Sequence, residues 1–252
     1  MLSKNKAKFV RSLQLRKYRQ KYHKIVVEGV KIVKDLLLDD LGAVDTIIAV
    51  PEWLEENNRL IGAHIEAIEC DARDLSSISS LKTPNDVLAV MEMPDHLDQI
   101  DIANEQLCLY LDSVRDPGNL GTILRTADWF GIRHVYMSTD CVDVYNPKVI
   151  QSSMSSVLRV KVGYVGQTTL LENEALHIIA TALEGEPLNN DNRPQRGILV
   201  MGNESKGVNP DLIRRANQLI SIPGDRRLGA ESLNVAVATG IVLSKIYAGK
   251  NE

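Results

Sequence analysis

Leu107-Cys108-Leu109-Tyr110-Leu111-Asp112-Ser113-Val114-Arg115-Asp116-Pro117-Gly118-Asn119-Leu120-Gly121-Thr122-Ile123-Leu124-Arg125-Thr126-Ala127-Asp128 is the stretch that decides the fold. An apolar run, Leu107–Leu111, gives way at Asp112 to a polar turn holding Pro117 and Gly118. A helical pattern then runs from about Asn119 to Phe130, and Gly131 sits where a C-cap glycine belongs. A strand feeding a helix through a short turn is the building unit of an α/β sheet. Free backbone N–H groups at such a helix start can hold an anion. Gly121 leaves room for close approach, and Arg125 lies one turn on, near the same helix face. Alone, the stretch is equally a tight connection with a solvated arginine.

The alternation continues on both sides. Downstream, Val135–Ser138, Ile178–Ala182, Ile198–Met201 and Leu219–Ile222 read as strands. Pro147–Ser153, Asp211–Ala216 and Ser232–Ala248 read as helices, while residues 154–177 give no clear element. This pattern predicts a mainly parallel sheet covered on both faces. Upstream, residues 1–24 are basic and helical, with Phe9, Leu13 and Tyr18 as buried positions. Strands at Ile25–Glu28, Thr46–Val50, Ile65–Ile68 and Val87–Met91 alternate with helices at Gly29–Leu41, Trp53–Ile61 and Ala72–Leu81, a small α/β domain. Glu92–Glu105 is acidic, holds Pro94, lacks a period and reads as the linker, so the chain divides into domains 1–97 and 98–252.

Two more segments carry chemistry. Ile198-Leu199-Val200-Met201-Gly202-Asn203-Glu204-Ser205-Lys206-Gly207-Val208 is a strand running into a glycine-bracketed loop. Open α/β sheets bind ligands at such carboxyl ends, and Glu204 offers an acceptor there. In the third, Ser221-Ile222-Pro223-Gly224 leads through Asp225–Glu231 to Ser232-Leu233-Asn234-Val235-Ala236-Val237-Ala238-Thr239-Gly240. Ser232 and Asn234 open a helix apolar on nearly every side, which must therefore be buried. Ser232 alone is also a plain N-cap candidate.

Together, in this order and at these element boundaries, the three segments resemble the SpoU-type RNA ribose 2′-O-methyltransferases of the SPOUT superfamily, over about Leu107–Ala248. Ser12-Leu13, Lys17-Tyr18-Arg19 and Val26-Val27-Glu28-Gly29 more weakly resemble the small α/β RNA substrate-binding domain that many members carry at their N-terminus.

The resemblance implies a parallel sheet with a deep trefoil knot, S-adenosylmethionine held in the knot, RNA as substrate and a homodimer. It places Arg125, Asn119, Glu204, Ser232 and Asn234 at catalytic positions, and Thr181, Leu183, Met201, Gly202, Ile222 and Leu233 around the methyl donor. Arg125 would hold an RNA phosphate and the nucleophilic oxygen, since a guanidinium does not act as a proton acceptor. Asn119 and Glu204 would orient Arg125 and the target ribose, and Ser232 and Asn234 would shape the pocket. No metal is implied. Ribosomal RNA fits the extra N-terminal domain better than transfer RNA. Two departures stand out: the loop Gly224–Glu231 is about two residues longer than usual and holds Arg226 and Arg227, and Ser155 replaces a common glycine.

Bulk properties bound the alternatives. The 252 residues are 44% hydrophobic, 25% charged and 4% aromatic, so an ordinary globular chain with aliphatic cores is expected. The formal charge of −4 hides a basic end: from Lys4 to Lys34 the only acid is Glu28. Cys70, Cys108 and Cys141 form no paired motif, and no long apolar run or signal pattern appears, which points to the cytoplasm. The five histidines lack metal-ligand spacing. A nicotinamide-dependent oxidoreductase shares the strand–glycine–helix theme, but no GxGxxG follows the first strands. A non-catalytic RNA-binding protein of the same fold is the other alternative; the intact polar set at Asn119, Arg125, Glu204, Ser232 and Asn234 argues against it.

Overall fold

The computed structural model describes residues 1–97, 99–100, 106–225 and 232–248. Two compact units emerge, Met1–Asp95 with Asp143–Leu158, and His96–Val142 with Arg159–Glu252.

In the first unit, the basic stretch folds as α1 (Lys4–Ser12) and α2 (Arg16–Tyr22). Then come β1 (Lys24–Glu28), α3 (Val30–Leu38), β2 (Val44–Ala49), α4 (Pro51–Asn57), β3 (Glu66–Glu69), α5 (Ala72–Ile78) and β4 (Val87–Glu92). The sheet order is β1-β4-β2-β3. β4 runs antiparallel to both neighbours, whereas β2 and β3 are parallel. Val10 and Leu13 leave the first helical segment to join Ile48, Leu75, Ile78 and Leu88 in an aliphatic core. Leu13 is buried as expected, and Phe9 and Tyr18 are half-buried.

The second unit holds β5 (Leu107–Leu111), α6 (Pro117–Trp129) and β6 (His134–Met137). After the segment that joins the first unit, with α7 (Pro147–Ser153) and α8 (Ser156–Arg159), the chain returns as β7 (Lys161–Tyr164), α9 (Gln167–Glu172), β8 (Ile178–Pro187), β9 (Gly197–Met201), α10 (Pro210–Arg215), β10 (Gln218–Ser221) and α11 (Val235–Tyr247). The sheet order is β10-β8-β9-β5-β6-β7. Every pairing is parallel. All five residues of β5 are buried, as a strand covered on both faces requires. α6 packs on α11 and α9 on α10.

Several expectations need correction. β7 and α9 lie in the stretch that gave no element, because a four-residue edge strand carrying a lysine and a glycine has no legible period. β8 extends five residues past Ala182. Its register with β10 jumps there, since Leu219 faces Ala180 but Ile220 faces Glu186. Gly185 permits this crossing: a Cβ there would lie 2.6 Å from the Ile220 carbonyl carbon. The core is not purely aliphatic, for Tyr110 and Tyr136 are its largest fully buried side chains. The Tyr110 hydroxyl donates to Val165 O at 3.0 Å, which makes that burial tolerable.

Arg19 is the sharpest departure from a solvated basic face. It is only 3% exposed. Its guanidinium donates to Leu13 O at 2.9 Å and Gln14 O at 2.7 Å, and pairs with Asp143. Asp143 lies 124 positions downstream, and this pair helps bind residues 143–158 into the first unit. α7 also packs on β1, and the Tyr145 hydroxyl donates to Pro94 O at 2.9 Å. Ser155, at the position where glycine was expected, is buried and donates to Asp35 in α3 at 2.6 Å. Among the described residues, no helix is long and apolar enough to cross a membrane.

Candidate active site

Asp116 starts the site. Its side chain caps α6 by accepting from Asn119 N at 2.8 Å, and Pro117 occupies the first turn, where its missing N–H costs nothing. This fixes Asn119 at the mouth of β5. At the end of β9, Gly202 lets the loop close on itself. A Cβ there would sit 2.2 Å from Gly207 C, so no other residue fits unshifted. Asn203 and Gly207 exchange backbone hydrogen bonds at 3.1 and 2.8 Å. The Asn203 amide donates to Ser113 O at 3.0 Å and accepts from Ser205 N at 2.9 Å.

With the loop tied down, Glu204 reaches α6. The Asn119 side-chain amide donates to Glu204 Oε1 at 2.5 Å. Asn234 donates to the other side of Asn119, Nδ2 to Oδ1 at 3.0 Å. The Asn234 carbonyl meanwhile accepts from Ala236 N at 3.0 Å and Val237 N at 3.3 Å. Asn234, not Ser232, is therefore the N-cap of α11, and the helix begins at Val235. Ser232 instead donates its hydroxyl to Glu204 O at 3.3 Å. The cap of α11, the first turn of α6 and the β9 loop thus form one hydrogen-bonded chain ending on a carboxylate.

Beside this chain the sequence reading missed two groups. Asp112 is buried and accepts from Gln167 Nε2 at 2.6 Å and Asn209 N at 2.7 Å, so it locks the loop floor. Nothing local signals that role, because both partners are distant in sequence. Asp116 was legible, as an acid followed by proline at a helix start is a capping signature. A cavity of about 470 Å³ opens next to Ser113, Arg115, Asn203 and Lys206. On its wall Asp140 is held down to about 2, chiefly by the Ser138 hydroxyl and then by Arg115 and Ser113, against the opposing effect of burial. Burial pushes the Cys141 thiol up. Among the described residues, no group of His, Cys, Asp and Glu side chains gathers in a metal-binding arrangement.

This site lies on a chain whose residues 106–244 match the SpoU rRNA methylase family. The chain belongs to the SpoU rRNA methylase family. Residues 4–89 match an MRM3-like substrate binding domain. The chain is 30% identical over 245 residues to the 23S rRNA (guanosine(2553)-2'-O)-methyltransferase RlmP of Bacillus subtilis, covering 94% of each. It is 36% identical to a solved putative RNA methyltransferase of the TrmH family from Porphyromonas gingivalis, covering 98% of each chain with a TM-score of 0.85. An AdoMet-bound rRNA methyltransferase from Sinorhizobium meliloti is 29% identical, with a TM-score of 0.83 over 98% of this chain and 95% of that one.

Of the family positions named from the sequence, the structure brings Asn119, Glu204, Ser232 and Asn234 into mutual contact. Arg125 stands apart. It is exposed on α6, and among the described residues its side chain makes no hydrogen bond or ion pair. Within one chain, Asn119 is held by Glu204 and Asn234 and makes no hydrogen bond to Arg125.

Of the named donor-site residues, Thr181 and Leu183 lie within β8, where its pairing with β10 breaks; Met201 and Gly202 lie at the carboxyl end of β9, Ile222 just beyond β10, and Leu233 ahead of α11. Thr181 donates its hydroxyl to Val200 O at 3.1 Å. Met201 is buried, Gly202 and Ile222 are half-buried, and Leu183 and Leu233 are 52% and 45% exposed. The residues fit the adenosyl part of the donor: exposed leucines suit the flat face of its adenine ring, and half-buried backbone at Gly202 suits the ring's polar edge. Residues 226–231, with Arg226 and Arg227, lie outside the described residues.

Proposed function

We propose that this protein methylates a ribose 2′-hydroxyl in 23S ribosomal RNA. The chain is an S-adenosylmethionine-dependent RNA 2′-O-methyltransferase. The observation that carries the reading is the Asn234–Asn119–Glu204 chain standing at the ends of parallel strands, with Asn119 on the same helix as Arg125, which is exposed.

S-adenosylmethionine, when bound, supplies a methyl group on a sulfonium centre. Thr181, Leu183, Met201, Gly202, Ile222 and Leu233 hold it, the leucines by covering apolar surface and Gly202 by its backbone. Arg125 grips an RNA phosphate and the 2′-oxygen and stabilises charge developing there; its proton is never given up. The hydroxyl proton passes to an RNA phosphate or to water. Glu204, fixed by Asn119, accepts a hydrogen bond from the ribose, and Ser232 and Asn234 shape the pocket wall. Positioning of this kind contributes several kcal/mol, up to roughly 7–11.

The rest of the reading follows the family. Residues 98–252 form the methyltransferase domain, knotted near its end, and residues 1–97 the RNA-binding domain; residues 143–158 pack with the latter. The protein works as a cytoplasmic homodimer. Trp129 at the end of α6 is 84% exposed, and Val237 on the adjacent α11 is exposed too, apolar surface that a second copy would cover. The test is transfer of labelled methyl from the donor to 23S and, separately, transfer RNA transcripts, with the product mapped by resistance to alkaline cleavage. Protection at one ribose of 23S RNA is expected, and Arg125→Lys should abolish most of it, since a point charge does not replace a planar fork. Label in transfer RNA or in a base would overturn the assignment.

A further inference from the structure

The first 27 residues contain no acid. Of their cations, Lys6 pairs with Glu66, Arg19 with Asp143, and Lys24 with Asp45 and Glu92. The other six, Lys4, Lys8, Arg11, Arg16, Lys17 and Lys21, are exposed, and among the described residues their side chains form no hydrogen bond or ion pair. Within this positive field lies an ordered set of rings. Tyr18 and Tyr22 stack at 6.2 Å between centroids and 11° between planes, and the edge of Phe9 meets Tyr22 at 5.2 Å. Lys17 Nζ sits 4.9 Å from the Tyr18 centroid and Lys21 Nζ 5.2 Å from that of Tyr22.

A seven-residue helix such as α2 does not hold its shape alone. Here the buried Arg19 guanidinium clamps it to Leu13 O, Gln14 O and Asp143. The rings are therefore presented on a rigid support, and Tyr22 remains 40% exposed. Rings with exposed lysines resting over them are the chemistry that takes an unpaired nucleotide: the flexible lysines swing to the phosphates and give up the ring face to the base. A duplex offers no free base face. An anionic membrane fits less well, because α2 carries no aliphatic residue to insert.

The geometry points to α1 and α2 as a platform for single-stranded RNA, centred on Tyr18 and Tyr22 with Lys17 and Lys21. This rests on RNA being the substrate, as proposed above, and gives the N-terminal unit a specific RNA-facing surface. The test uses the full chain and a labelled single-stranded RNA of about 12 nucleotides, with a duplex of equal length for comparison. Tyr22→Ala should weaken single-strand binding roughly 5-fold or more, while Tyr22→Phe retains it. Lys17→Gln with Lys21→Gln should make the salt dependence shallower, by about 0.7 in log–log slope for each phosphate that the lysines no longer neutralise. In turnover, these variants should raise KM for RNA with kcat and donor affinity unchanged.

Equal binding by Tyr22→Ala and Tyr22→Phe at reduced affinity would mean a structural role and overturn the platform. So would preference for the duplex, or binding of phosphatidylserine vesicles in place of RNA. Methylation of RNA with an unaltered KM in every variant would sink the platform but spare the function. Single-strand binding abolished by Tyr22→Ala, with no methyl transfer to any RNA, would do the reverse.

Discussion

Asn119→Asp tests whether the site is one coupled unit. Asn119 donates to Glu204 and accepts from Asn234, so a carboxylate in its place keeps the second bond and turns the first into a clash of charges. At about 3 Å, two unit charges repel by about 5.5 kcal/mol at an effective dielectric of 20 and about 1.4 at 80. Both side chains are half-buried, which places the penalty between these limits, at about 2–3 kcal/mol. If that energy is needed to hold the pocket, single-turnover methyl transfer falls on the order of 100-fold near neutral pH. Two adjacent carboxyl groups relieve such a clash by sharing a proton, so the defect should shrink as pH is lowered. Adding Glu204→Gln returns a donor to the pair, and the double variant should outperform Asn119→Asp. Rates would be measured with saturating RNA and donor, alongside calorimetric donor binding. A pH profile parallel to that of the parent protein, with the double variant no better than the product of the single effects, would refute the coupling.

Gly202→Ala forces a methyl to within 2.2 Å of Gly207 C, so the β9 loop must open; donor affinity should fall at least 10-fold by calorimetry, an effect of about 1.4 kcal/mol or more. Ser155→Ala removes a hydrogen bond from a buried hydroxyl to the Asp35 carboxylate, worth about 1.5–3 kcal/mol, and should lower the melting temperature by roughly 3–10 °C with the methyl-transfer rate preserved. Asp140 has a folded-state pKa below the ordinary carboxylate value, so its contribution to stability is present above about pH 4 and is lost as pH falls toward 2. Asp140→Asn should therefore flatten the decline of the urea midpoint across that window, and an unchanged slope would show that the Ser138 and Arg115 hydrogen bonds do not persist in solution.

The sequence by itself determined what short-range chemistry can write. Three strand–turn–helix junctions carry their own punctuation, an apolar run, a proline or glycine and a capping residue, so β5–α6, the β9 loop and the start of α11 were readable along with most of their polar residues. The order of those junctions was enough to indicate the family. Ends of elements were read less well. β8 runs on past Ala182 because β10 resumes pairing at Glu186, a fact that belongs to two strands at once.

Only the tertiary structure decided which partner each polar group would take. Ser232 was the N-cap candidate on sequence grounds; that Asn234 takes the cap and also holds Asn119, 115 positions away, depends on the sheet bringing both strand ends together. Arg19 looked like part of a basic surface and became a buried clamp once Asp143 reached it, while Lys17 and Lys21 beside it stayed exposed. Hydrogen bonds and ion pairs act over a few ångströms, whereas the sequence orders residues along a chain that returns to the same place after a hundred positions or more, so their assignment waits on the fold.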